Sequence, residues 1–162
     1  MDSAPNEQQL EIIAKAKKLA RECLEPRAAE VDREADHPRK SWNDVWKHGL
    51  LAMTVPKEYG GLGLDTLTYV MAVEQMAGGC INTAMTVHMH SVVMRYIDAL
   101  ANPDQKAFFY PEVVTMGKLF GSWGSEPNRR GGSGSVQTVM SRQDDEYAIN
   151  GIKHFCTMAG GA

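Results

Sequence analysis

Near Gly117 the spacing of apolar residues changes character. Before it they recur about every third or fourth position, as on one face of a helix. After it, short and partly alternating stretches are separated by polar turn residues, as in strands and hairpins. The chain therefore reads as α+β in series: an all-α N-terminal helical domain (residues 1–117) and a truncated antiparallel β-domain (residues 118–162). The second part holds too few strands to form an independently stable sheet with a covered face, so it reads as the start of a domain.

In the helical part, Asn6 and Gln9 have the spacing of a capping box, and Leu10, Ile13, Ala16, Ala20, Leu24, Ala28 and Val31 follow close to helical period. Pro26 lies inside this run, where it removes a backbone hydrogen bond at about 3 kcal/mol, so a kink or break is expected there. A shorter helix from about Ser41 should stop at Gly49 in a left-handed cap. Asp65 can cap a helix that carries Leu67, Val70, Met71 and Ala77 and that Gly78–Gly79 ends. The stretch from Asn82 to Leu100 is apolar on nearly every face and reads as a core helix buried on most sides. Asn102–Pro103 opens a last helix, which Pro111 should interrupt or redirect. In the β part the clearest hairpin pairs Val136 to Ser141 with Tyr147 to Asn150 across RQDDE.

A chain of 162 residues can bury about two thirds of its unfolded surface and needs no staples. Its 17 basic and 20 acidic residues, without long like-charge runs, argue against generic attraction to nucleic acid or anionic lipid. Cys23, Cys80 and Cys156 form neither a disulfide framework nor a Cys-x-x-Cys metal pattern, which suits a reducing compartment. The acidic, polar start MDSAPNEQQ is unlike a signal or transit segment, and no 18-residue apolar run follows. A cytoplasmic location is the expectation.

The run VPKEYGGLGLD places three glycines within four positions, but no Gly-Lys-Ser/Thr follows and the third glycine of a dinucleotide fingerprint is missing. GGSGS fails the same test and reads as a flexible loop. His88 and His90 are two apart on a helix, point about 200° apart and cannot share a metal as an i, i+4 pair would. They read as core or pocket-lining histidines. The ten methionines fill a core, though a flexible acyl-binding slot would use the same residue type. Glu58, Glu74 and Glu126 have no partner at motif spacing and read as surface charges or helix-end partners. Trp123, taken alone, reads as a strand residue packed under a sheet.

Taken in order, four stretches resemble the acyl-coenzyme A dehydrogenase family. VPKEYGGLGLD is similar to its Pro-x-Glu-Tyr-Gly-Gly-x-Gly turn, and NPDQKAFFYPEVVTMGK to the helix leading into its middle domain. GSWGSEP stands in the place of its Thr-Glu-Pro strand end. EYAINGIKHFCT resembles its Gly-x-x-Leu-Asn-Gly-x-Lys-x-Trp-Ile-Thr hairpin. In the family the glycine turn is structural: Gly60, Gly61 and Gly63 supply backbone angles costly for other residues, and Tyr59 packs beside them.

The resemblance implies FAD held between a helical N-terminal domain, a β middle domain and a C-terminal helical bundle. It puts Trp123, Gly124, Ser125, Phe155 and Thr157 at the cofactor. Ser125 keeps the hydroxyl of the family's flavin-binding threonine, and Gly124 offers a backbone N–H to the pyrimidine edge. Phe155 replaces the family's tryptophan, keeping a flat face without the indole N–H. Ser133, after a two-residue insertion and with Gly134 in place of an aspartate, falls at the pyrophosphate or substrate.

The chemistry implied is α,β-dehydrogenation of an acyl-CoA thioester: a carboxylate takes the α-proton while the β-hydrogen leaves as hydride to FAD. The family's base lies in the bundle, outside these residues, so no catalytic residue is assigned here. The chain alone is expected neither to react nor to hold FAD tightly. An electron-transfer flavoprotein as redox partner and a homo-oligomeric full-length form are also implied. Two alternatives stay open: a two-component flavin monooxygenase on the same fold, and a non-enzymatic helical docking module.

Overall fold

The computed structural model describes residues 4–127 and 136–161. Among them, α1 (Glu7–Leu19), α2 (Ala28–Glu34), α3 (Arg39–Lys47), α4 (Thr66–Gly79), α5 (Ile81–Leu100) and α6 (Pro103–Val114) precede a hairpin of β1 (Val139–Gln143) and β2 (Glu146–Asn150). This is the α+β arrangement expected, helical first and antiparallel second.

Local chemistry sets most helix ends. Asn6 Oδ1 accepts from the Gln9 N–H at 2.9 Å while Gln9 Oε1 accepts from the Asn6 N–H at 3.0 Å, and Asn102 and Gln105 repeat the arrangement at α6. Asp65 caps α4 through the Thr68 N–H at 3.0 Å, and its carboxyl lies below the usual range, chiefly because the Thr68 hydroxyl and then the Thr68 N–H donate to it. Gly49 adopts φ +69° just past α3.

The two prolines inside helical runs behave differently. At Pro26 the break is gradual: a five-residue π turn (Ala20–Leu24) and a three-residue 3₁₀ turn (Glu25–Arg27) intervene before α2. A regular helix would drive the Pro26 ring into the Glu22 carbonyl, and the change of winding relieves that clash. Pro111, by contrast, does not interrupt α6, which runs on to Val114. Tyr110 and Val113, either side of it, are both fully buried. Burial of about 1.5–3 kcal/mol for such side chains offsets the roughly 3 kcal/mol cost of the proline.

α5 is less enclosed than its composition suggests. Thr83, Ala84, Val87, His90, Ser91 and Met94 enter the core, whereas Ile81, Met85, Tyr96 and Leu100 are exposed. Buried hydroxyls on its inner face are satisfied locally: Ser91 donates to the Val87 carbonyl at 2.9 Å, and Thr86 donates to the Thr83 carbonyl while accepting from Trp42 Nε1 at 2.7 Å.

The longest run of consecutive buried residues among those described is the non-helical link Leu50–Val55, where Leu50, Leu51, Met53 and Val55 are all fully or almost fully buried. The glycine turn makes this possible by folding back along it, with Leu62 N–H donating to Ala52 O (3.1 Å), Leu64 N–H to Met53 O (2.9 Å) and Gly63 N–H to Val55 O (2.8 Å). Gly60 supplies a left-handed angle, φ +85°. Gly61 does something else: a Cβ there would lie 2.5 Å from Val55 Cβ and overlap the Val55 carbonyl, so close approach requires the missing side chain. Tyr59 packs beside the turn with its ring 4.8 Å from that of Tyr110.

The hairpin pairs Val139 with Asn150 through to Gln143 with Glu146, two or three residues later on its first strand than expected, around a two-residue turn at Asp144–Asp145. Arg142 and Gln143 belong to the ladder because Asp144 takes the left-handed angle, φ +53°, that a tight turn needs. The strands are exposed almost throughout. The chain then returns to the helices: Met158 is buried in the helical core, His37 Nε2 lies 3.2 Å from Ala159 O, and the Arg39 guanidinium reaches the carbonyls of Gly160 and Gly161 at 3.4 Å. No described helix is long and apolar enough to cross a membrane.

Candidate functional site

Two stretches of the β part lie side by side. Ser125 forms an antiparallel bridge with His154, whose N–H donates to the Ser125 carbonyl at 3.1 Å. The bridge brings Trp123, Gly124 and Ser125 beside Phe155 and Thr157. All five are exposed, with Trp123 at 66% and Phe155 at 84%. Trp123 is therefore not packed under a sheet, because the described residues place no second layer against it.

No described residue hydrogen-bonds the Gly124 N–H, the Ser125 hydroxyl or the Thr157 hydroxyl. The space a Cβ would take at Gly124 is open. Phe155 sits at φ +55°, a backbone position that bulky residues rarely adopt, beside the His154 ring at 4.2 Å.

The candidates do not share a single cavity. Trp123 lines a cleft of about 270 Å³ with Leu119, Phe120, Cys156 and Met158. Thr157 opens on another of about 400 Å³ with His37, Asn82, Met85 and Thr86. Ser133 lies outside the described residues.

Glu126, read from sequence as a surface or helix-end charge, is instead 4% exposed. Its Oε2 accepts from the Gln137 N–H at 2.7 Å. Its Oε1 accepts from the Thr138 N–H at 3.0 Å, the Thr138 hydroxyl at 2.7 Å and Lys153 Nζ at 2.6 Å. Lys153, followed by the Thr138 hydroxyl and the two backbone N–H groups, holds this carboxyl well below the usual carboxylate range. No short-range motif announces this, since the donors lie 11 to 27 residues away in sequence.

The two histidines separate in role. His90 is fully buried; the Phe120 N–H donates to its Nδ1 at 3.0 Å, which leaves the proton of the neutral ring on Nε2. Burial lowers its pKa to about 4; the Leu51 backbone nearby opposes that shift, though no hydrogen bond of ordinary geometry reaches Nε2. Through Phe120, His90 ties α5 to the irregular segment leading into Trp123. His88 is half-buried, with Nδ1 2.6 Å from the Tyr69 hydroxyl, and Arg95 lies over the Tyr69 ring. No group of three or more His, Cys, Asp or Glu that could hold a metal occurs among the described residues.

Trp123 and Phe155 present exposed aromatic faces, and Trp123 and Thr157 open on different clefts. Comparison with known proteins agrees on the family. Residues 6–117 match the profile of the acyl-CoA dehydrogenase N-terminal domain. The chain belongs to the acyl-CoA dehydrogenase family. It is 34% identical over 151 residues to the acryloyl-CoA reductase (NADH) of Anaerotignum propionicum, covering 90% of this chain and 38% of that protein. Among solved structures, the butyryl-CoA dehydrogenase of Megasphaera elsdenii superposes with a TM-score of 0.86 at 26% identity, over 100% of this chain and 44% of that one. TdsC of Paenibacillus sp. A11-2, a dibenzothiophene monooxygenase, in complex with FMN and indole, superposes with a TM-score of 0.74 at 28% identity, over 90% of this chain and 35% of that one. The chain thus spans about two fifths of the length of the relatives it matches.

Proposed function

We propose that these residues form the N-terminal helical domain (1–117) and the start of the middle β-domain (118–162) of an FAD-dependent acyl-CoA dehydrogenase. The observation that carries this reading is the Ser125–His154 bridge, which joins the Trp123–Ser125 stretch to the segment that runs into Phe155–Thr157; no described residue pairs with the Gly124 N–H or the Ser125 and Thr157 hydroxyls. In this reading the Gly124 N–H and the Ser125 and Thr157 hydroxyls donate to the polar edge of the flavin ring, where donors stabilise the charge of the reduced form. Phe155 and Trp123 cover apolar parts of the ring and exclude water from it. A bound flavin supplies the hydride acceptor for desaturation of an acyl-CoA thioester, and an electron-transfer flavoprotein is the redox partner.

The chain's own residues form one wall of such a site and include no assigned base. Purified alone, it should lose added FAD on gel filtration, and FAD mixed with a short-chain acyl-CoA should stay oxidised. Bleaching of the flavin by the chain alone would overturn this division of labour.

A second reading, flavin-dependent oxygenation, is favoured by Phe155 standing where the family's tryptophan is expected and by the likeness to TdsC. A glutamate at the base position of the longer reading frame supports dehydrogenation; a histidine or serine network there supports oxygenation.

A further inference from the structure

We propose that Glu126 is a positioning residue for the flavin site: its buried carboxylate sets the register in which Ser125 faces the Phe155–Thr157 stretch. This rests on the flavin reading above. The Ser125–His154 bridge is an isolated contact, and two segments joined by a lone rung can pivot or slip. Glu126 adds the neighbouring rung through Lys153 Nζ at 2.6 Å and fastens both to the start of the hairpin through Gln137 and Thr138.

The chemistry of the pair selects one register. A one-residue slip at the Ser125–His154 bridge would move Lys153 off Glu126 and change where the Phe155–Thr157 stretch meets Ser125. Such a slip puts Ile152 or His154 in the position of Lys153. Ile152 has no side-chain donor and would leave a buried carboxylate short of a partner, and the imidazole of His154 is shorter than the lysine chain that reaches Glu126. The group must also be a carboxylate, because all four contacts are donors and an amide would present an NH₂ to one side of them. Gly151 supports the arrangement, since a Cβ there would lie 2.7 Å from Thr138 Cα and Cβ.

The test is a titration of the isotopically labelled chain with FMN, followed through the backbone amides of Ser125, Phe155 and Thr157, together with hydrogen exchange of the His154 amide. Wild type should show saturable shifts at these amides and slow exchange at His154. Glu126→Gln should weaken FMN binding about tenfold, the worth of one charge-assisted hydrogen bond, and speed His154 exchange by a similar factor. Glu126→Asp should recover part of both. Lys153→Gln, which keeps the carboxylate and its other three donors, should give an intermediate loss and serves if Glu126→Gln does not fold. Wild-type FMN affinity and His154 protection in Glu126→Gln and Lys153→Gln would overturn the proposal. The titration is carried to millimolar FMN because the chain alone is not expected to hold flavin tightly; no shift at these amides even there overturns the flavin reading, whereas unchanged His154 exchange in Glu126→Gln overturns the claim about register.

Discussion

Replacing Gly61 by alanine tests whether the glycine turn is dictated by close approach or by backbone angle. The added methyl would lie 2.5 Å from Val55 Cβ and on top of the Val55 carbonyl oxygen. Carbon atoms in contact prefer about 3.5–4.0 Å, so the turn must retreat by roughly 1 Å or more. Forcing an extra methyl into a packed interior costs about 1–3 kcal/mol. The retreat also strains the Gly63 N–H to Val55 O bond at 2.8 Å, a bond worth about 1 kcal/mol. The sum, about 2–4 kcal/mol, should lower the melting temperature of a chain this size by roughly 5–15 °C. Gly60→Ala, which carries the left-handed penalty of about 1–2 kcal/mol and a 3.2 Å contact with the movable Val114 Cγ1, should fall less. Gly78→Ala, with nothing within 4 Å of the new Cβ, should rise, by about 1 kcal/mol of helix propensity. Thermal melts of the three variants by far-ultraviolet circular dichroism give the order. A Gly61→Ala melt within about a degree of wild type, or a Gly60→Ala melt below it, would refute the close-approach argument.

Trp42→Phe keeps the buried ring but strands the Thr86 hydroxyl's partner position, and should cost about 1–2 kcal/mol in urea unfolding. His90, its pKa lowered from 6.5 to about 4 in the fold, is neutral in the folded state where the unfolded chain takes up a proton. Stability should be complete above about pH 6.5 and fall as the pH drops toward 4, by on the order of 3 kcal/mol, and His90→Gln should flatten that slope in melts across the window. Phe155→Ala should leave the melting temperature nearly unchanged, because the side chain is 84% exposed, while reducing the FMN response of the Ser125 amide. Equal damage to both measurements would count against a surface role for Phe155.

Much of the helical part was legible in the sequence because its signals are local. A capping box needs four consecutive residues, and Asn6–Gln9 and Asn102–Gln105 both form as written. Gly49 takes the left-handed angle expected past α3, and α4 stops at the Gly78–Gly79 pair, although both glycines stay helical and Gly79 is set by close approach to the Ala20 backbone. The prolines mark the limit of such rules. The break at Pro26 was legible, but its spread over a π and a 3₁₀ turn was not, and Pro111 was overruled by the burial of Tyr110 and Val113 around it. Those burials depend on what lies opposite, which local sequence does not record.

At the candidate site the division is similar. Ser125, Phe155 and Thr157 stood out only through the resemblance to the family's motifs, whereas Glu126 looked like any surface carboxylate. Its four donors come from three separated stretches, so only the folded chain gathers them. The same holds for His90, whose partner at Phe120 is 30 residues away, and for the Leu50–Val55 link, which has no period to betray that it is buried throughout. The sequence by itself determined where most helices start and stop and where the period changes from helical to extended, because propensity, capping and turn geometry act over a few residues. The tertiary structure alone decided which carboxylate is buried, which glycine is needed for space rather than angle, and which aromatic faces stay open, because each depends on groups that meet only when distant segments pack.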